Sequence, residues 1–218
     1  MNPADLKIGV LVPIWTDSLD GRTATLAKAL ALVRFAETVG LDSVWLTDHL
    51  YWETFIDFRA TGIEPPAELE GVKGGQWEYW ATAAAIAVQT TQISIGTLVS
   101  NTTFRNPALL ARTADNIVEL SDGRFIFGLG AGDFVSEHQA YGFDFRRHVC
   151  RFEDSPDFFI KSPKRLFEVT VFHHMKRNGW VLLPVGAQVA ASRTRCNTSS
   201  GIGSVLSRRT ARSVRIDS

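Results

Sequence analysis

Two short apolar runs, separated by a stretch of helical length, constrain this chain more than any other feature. Ser94-Ile95-Gly96-Thr97-Leu98-Val99-Ser100-Asn101 and Arg124-Phe125-Ile126-Phe127-Gly128-Leu129-Gly130-Ala131-Gly132 each stop abruptly in small, polar or glycine residues. Apolar runs of this length, bounded by turn residues, read as buried parallel strands covered on both faces. The segment between them must then be the crossover helix. Residues 107–120 fit, with Pro107 at the first helical position, Leu109, Leu110, Ala114, Ile117 and Val118 at helical spacing, and Asp122-Gly123 at the close.

The rest of the N-terminal part repeats that unit. Residues 7–12 form a β-branched run ended by Pro13, and a polar loop over 16–22 follows. Thr23 or Thr25 caps a helix whose apolar face is Leu26, Leu30, Val33, Phe35 and Ala36, and Gly40 stands where a C-terminal glycine belongs. Residues 43–47 read as a second strand that stops at Asp48-His49, an ionisable pair where a buried strand ends. Residues 51–78 are aromatic, acidic and proline-bearing, which reads as one long lid or binding loop. An alanine-rich helix over 80–88 precedes the third strand, its small side chains suited to close packing on a sheet.

Strict alternation of strand and helix fits an open doubly wound sheet or a closed eight-fold barrel. A dinucleotide-binding open sheet places its glycine loop after the first strand. Here that strand ends in Pro13-Ile14-Trp15, and polar residues recur at the C-terminal ends of strands two, three and four. That is how a barrel distributes its site. The expected fold is therefore α/β and TIM-barrel-like, with about four strand–helix units.

Charge separates the chain into two parts. Residues 1–150 hold 11 Lys and Arg against 18 Asp and Glu, whereas 151–218 hold 12 against 5, although the whole is neutral. Cys150 and Cys196 make no metal spacing and at most one bridge, so a reducing cytoplasm is the simplest compartment. The N-terminus lacks a basic region, and its apolar run over 8–15 is broken by Pro13, so neither a signal peptide nor a membrane span is expected.

The runs Leu46-Thr47-Asp48-His49, residues 96–108 from Gly96-Thr97-Leu98-Val99 to Asn106-Pro107-Ala108, and 122–132 from Asp122-Gly123-Arg124 to Gly130-Ala131-Gly132 together carry a resemblance. With Glu137, Gly142 and Arg151-Phe152-Glu153 in register, they resemble the bacterial luciferase-like family of flavin- or deazaflavin-dependent oxidoreductases, over about residues 5–155. The resemblance implies a barrel holding FMN or a deazaflavin coenzyme at its C-terminal mouth. It implies a small organic substrate, NAD(P)H as a reductant, and oxidoreductase or monooxygenase activity.

It also implies roles for particular residues. Leu98 and Val99 correspond to a bulge with a non-proline cis peptide that forms an apolar wall against the ring. Asn101 corresponds to a donor at the ring's polar edge, and Ala131 and Gly132, with Ser136, to the approach of main chain to the cofactor tail. Asp48 is either a cofactor partner or an orienter of its loop. His49 matches the histidine used for proton transfer, which suits an imidazole that titrates near neutral pH. Asp133 departs from relatives that carry an aromatic residue or a glutamate there, and reads either as an acid or as a solvated loop carboxylate. Trp15, Trp52 and Trp77 line the substrate side or fill the core. No metal is implied: no second histidine stands at a strand end with ligand spacing.

Beyond about residue 155 the resemblance stops. Residues 156–218 offer one strand pair, 166–172 with 180–185, and a tail from 189 with seven Ser, six Arg and three Thr among thirty residues. Such basicity reads as a nucleic-acid tail or, more simply, as the continuation of a truncated or frame-shifted longer gene. An alternative function follows, a non-catalytic remnant that binds cofactor weakly. Four parallel strands leave exposed edges, so a homo-oligomer without membrane or nucleic-acid partners is expected.

Overall fold

Parallel pairing, strand by strand, organises the molecule. The computed structural model describes residues 6–16, 24–60, 62–148, 152, 168–174 and 180–183. In chain order the elements are β1 (Gly9–Leu11), α1 (Leu26–Thr38), β2 (Ser43–Leu46), β3 (Trp52–Glu53), α2 (Thr54–Ala60), β4 (Lys73–Gly74), α3 (Tyr79–Gln89), β5 (Ser94–Thr97), β6 (Ser100–Asn101), α4 (Pro107–Leu120), β7 (Phe125–Gly130), α5 (Val135–Tyr141), β8 (Glu168–His174) and β9 (Trp180–Leu183). The main sheet runs β1-β2-β5-β7-β8-β9, with β6 also on β7. Every pairing in it is parallel except β8 with β9.

Local chemistry explains where the helices begin and end. The Thr25 hydroxyl accepts from Lys28 N, and Gly40, at φ +80°, follows α1. Glu78 caps α3 by accepting from Ala81 N. Asn106 accepts from Ala108 N and Leu109 N ahead of Pro107, and α4 ends where Asp122 and Gly123 both take positive φ. A side chain oxygen at the N-cap satisfies helix donors that have no intrahelical partner. Positive φ at the C-terminal end turns the chain out of the helix, and glycine does this at least cost.

Val44, Leu46, Ile95, Phe127 and Leu129 point from the sheet into a core closed by Val33, Ala36, Ala83, Ile86, Leu110 and Ala114. The fully buried Ala83 lets α3 lie close to the sheet. At the opposite end of the strands from the site, Arg124 donates to the carbonyls of Ala87, Thr90 and Ile93, while Glu37 accepts the N–H groups of Thr91, Gln92 and Ile93. These two charges satisfy a helix C-terminus and the turn into β5.

The fold is the α/β arrangement expected from the sequence, a mostly parallel sheet with helices between its strands, and α4 has the bounds read there. Three details differ. Residues 51–78 are not a single irregular loop: they hold the β3–β4 hairpin, α2 and a 3-10 turn at Ala67–Leu69. The Trp52 indole lies against Gly74, at a place a Cβ would fill, so the hairpin needs that glycine. Helix α5, unmarked in the sequence reading, follows β7. The expected strand pair is present as β8 and β9, and β8 adds a further parallel strand to β7. Cys150, Cys196 and the tail from 189 lie outside the described residues, among which no helix is long and apolar enough to cross a membrane.

Candidate functional site

Because β2, β5, β6 and β7 run parallel, their C-terminal ends deliver Asp48-His49, Leu98-Val99, Asn101 and Ala131-Gly132-Asp133 to one end of the sheet. The Leu98–Val99 peptide is cis. Val99 packs on Gly130, where a Cβ would collide with its methyl group, and Leu98 is left 42% exposed. An apolar edge results. Next to it, Gly132 takes φ +81° and gives room to the Asn101 amide, whose Oδ1 accepts from Thr103 N at 2.9 Å.

Asp48 lies beneath this edge and is 5% exposed. Its carboxylate accepts from Asn101 N at 2.8 Å and from both terminal nitrogens of Arg105, which also reaches Glu78 at 2.9 Å and covers the Tyr79 ring at 5.0 Å. Tyr79 and Ser100 share a hydrogen bond between hydroxyls. Burial pushes the Asp48 carboxyl up, and the Arg105 guanidinium and the Asn101 N–H only partly offset it. Burial likewise drives the Tyr79 phenol well above its usual value.

His49 occupies the edge of a cavity of about 390 Å³. Trp15, Trp52, Phe58 and Phe134 form its aromatic walls, with Thr47, His49 and Gln76 along one side. The imidazole stacks on Phe134 with centroids 4.2 Å apart, and its Nδ1 is 3.2 Å from Oε1 of the buried Glu137. Gln76 accepts from His49 N and donates to Thr47 Oγ1 at 2.6 Å. Burial opposes charge on the ring, but the hydrogen bond and charge of Glu137, followed by Asp133 and Asp48, outweigh it and raise the His49 pKa above its ordinary 6.5. Burial raises Glu137 as well, against the pull of His49 and of the Leu50 and Tyr51 N–H groups.

This motif order on this scaffold matches a known family, for the family model described as luciferase-like monooxygenase covers residues 6–165. The chain belongs to that family. It is 36% identical over 126 residues to the F420-dependent glucose-6-phosphate dehydrogenase of Amycolatopsis mediterranei (strain U-32), covering 55% of this chain and 32% of that protein. The match thus spans about a third of the length of that relative. Two solved structures share the fold of this luciferase-like chain. One is an F420-dependent secondary alcohol dehydrogenase in complex with an F420-acetone adduct, with TM-score 0.53, 20% identity, and 82% of this chain and 47% of that one covered. The other is the oxygenating constituent of 3,6-diketocamphane monooxygenase from the CAM plasmid of Pseudomonas putida in complex with FMN, with TM-score 0.54, 18% identity, and 84% and 45% covered.

Within this luciferase-like site the expected residues separate into groups. Asp48 accepts from the Asn101 N–H and from Arg105, so its oxygens anchor the Leu98–Asn101 segment, and Asp48 does not line the cavity. Ser136 is 4% exposed, and both its hydroxyl and its N–H go to Asp57, which sets it in the α2–α5 contact. Asp133 is half-buried, and its charge favours protonation of His49 and His148. Trp15 and Trp52 line the cavity, whereas Trp77 donates its indole N–H to Ala24 O. The sequence reading did not assign Glu137, Gln76, Phe134, Tyr79 or Arg105. Glu137 and Arg105 stood inside or in register with the quoted motifs; nothing local marked the others.

Proposed function

We propose that this luciferase-like protein carries the ring wall and the proton-handling edge of a flavin- or deazaflavin-dependent oxidoreductase or monooxygenase acting on a small organic substrate. The observation that carries the proposal is the His49 ring, backed by a buried carboxylate at the edge of an aromatic cavity, one strand away from the apolar Leu98–Val99 edge. The residues present fit such a group: the exposed Leu98 and half-buried Val99 offer an apolar strip, and the Ala131-Gly132 main chain leaves the neighbouring strand at the same end of the sheet. Leu98 and Val99 would hold the ring face, and Ala131 and Gly132 would bring backbone to the tail. When bound, an isoalloxazine or deazaflavin ring supplies two-electron oxidation or reduction of the substrate. His49 moves a proton at the cavity edge, where the aromatic walls give it apolar surroundings.

F420 in the name of the Amycolatopsis relative supports the deazaflavin case, and FMN in the camphane monooxygenase of the same fold keeps the flavin case in the proposal. For the flavin case the proposed reductant is NAD(P)H. The setting proposed is the cytoplasm. The outer edge of β1, which among the described residues pairs only with β2, supports association with a second copy.

Titration of the purified protein with FMN and with F420, followed by quenching of cofactor fluorescence, tests the reading. The wild-type chain should quench one of them, and Val99→Asp, which puts a charge against the ring face, should abolish quenching while the far-UV spectrum stays unchanged. Quenching of neither cofactor by wild type, or equal quenching by the variant, would overturn it.

A further inference from the structure

Helix α5 holds His49 through a side chain far away in sequence. Glu137 is fully buried. Its Oε2 takes the N–H of Leu50 at 3.0 Å and that of Tyr51 at 3.5 Å, while Oε1 lies 3.2 Å from His49 Nδ1. A buried carboxylate needs donors at both oxygens, because each lone pair left without one carries the cost of lost hydration. With Oε2 filled by main chain, Oε1 needs a proton from Nδ1. Phe134, just before α5, stacks on the same ring, and Gln76 fixes the His49 backbone N–H.

We propose that Glu137 is the positioning residue of this site: it locks His49 in the tautomer protonated at Nδ1 and leaves Nε2 as the atom that accepts or delivers a proton in the cavity. The proposal rests on His49 being the proton-transfer group. It also joins two parts of the site, since the carboxylate that orients the ring anchors Leu50 and Tyr51, from which the chain carries Trp52 into the cavity wall.

The charges facing His49 come from three elements: Glu137 on α5, Asp133 in the loop after β7, and Asp48 at the end of β2, itself paired with Arg105 from the loop before α4. All three carboxylates favour the protonated ring, against burial. A folded His49 pKa above the unfolded one means that protonation of the ring adds stability that is fully present below about 6.5 and is lost as pH rises through the folded value. Above that, the neutral ring retains its proton on Nδ1.

Two-bond ¹H–¹⁵N correlation spectra of the full chain, labelled at histidine, read both properties without any cofactor. The His49 signals are those lost in His49→Gln. In wild type they should titrate above 6.5 and, once deprotonated, show Nδ1–H with Nε2 bare. In Glu137→Gln the amide oxygen must take the Leu50 N–H, so the NH₂ group faces Nδ1. The proton should then move to Nε2, and the pKa should fall by about 1 to 3 units, as expected when an opposing charge is removed. A wild-type neutral ring protonated at Nε2, or an unchanged tautomer and pKa in Glu137→Gln, would overturn the proposal. Should Glu137→Gln fail to fold, the wild-type tautomer decides alone. Failure of cofactor titration would sink the proposed function and leave this spectrum untouched, and the reverse also holds.

Discussion

Removing the Arg105 guanidinium should expose how the Leu98–Asn101 segment is held. Its side chain is 16% exposed and that of Asp48 only 2%, so Arg105→Ala would leave a carboxylate buried without its counter-charge. Breaking such a pair on one side costs about 3 to 5 kcal/mol, against the 0.2 to 1 kcal/mol typical of exposed pairs. That is a large share of the roughly 5 to 15 kcal/mol that holds a domain folded. Urea unfolding followed by tryptophan fluorescence would show the midpoint fall with the slope unchanged. The sign of the pH dependence follows from Asp48, whose folded pKa is already raised by burial and rises further without Arg105. A raised carboxyl is stabilising when protonated and loses that contribution as pH rises through its folded value, so the gap between variant and wild type should shrink toward acid pH. Asp48→Asn combined with Arg105→Ala should recover part of the loss at neutral pH. A gap below about 1 kcal/mol, or one that does not change between neutral and acid pH, would refute the account of a buried, coupled pair.

His49→Ala should leave cofactor affinity within a few-fold while lowering turnover by about 10² to 10⁴, the span of general acid–base groups, and equal turnover would remove its role. Gly132→Ala places a Cβ into the Asn101 amide at φ +81°, and should lower stability by about 1 to 3 kcal/mol in the same urea assay. An unchanged midpoint would show that the Gly132–Asn101 contact relaxes freely. In sedimentation at micromolar concentration the chain should run larger than a monomer, and a clean monomer would count against association through the open β1 edge.

Elements whose cause is local could be read from the order of residues alone. Residues 107–120 carry their own start in Asn106-Pro107, their own stop in Asp122-Gly123 and an apolar face at helical period, so their bounds were readable before any tertiary contact was known. The parallel strands were readable too, because buried runs ending in small or polar residues have few other homes. Helix α5 was not: seven residues of mixed polarity, with Glu137 and His138 fully buried, give no amphipathic signal. The β3–β4 hairpin escaped notice because its warrant is Trp52 lying on Gly74, a fit created by folding. The same division applies within the site. His49 was marked by its place after β2, but its partner Glu137 stands 88 residues away, and only the packing of α5 against α2 and β3 brings the two within hydrogen-bond reach. Ser136 was expected to serve a cofactor, and Asp48 either to do so or to orient its loop; in the fold their oxygens go to Arg105, Asn101 and Asp57. Spacing in the chain tells which groups leave a strand at the same end, but desolvation and competing donors in the packed structure decide which of them turns toward the cavity.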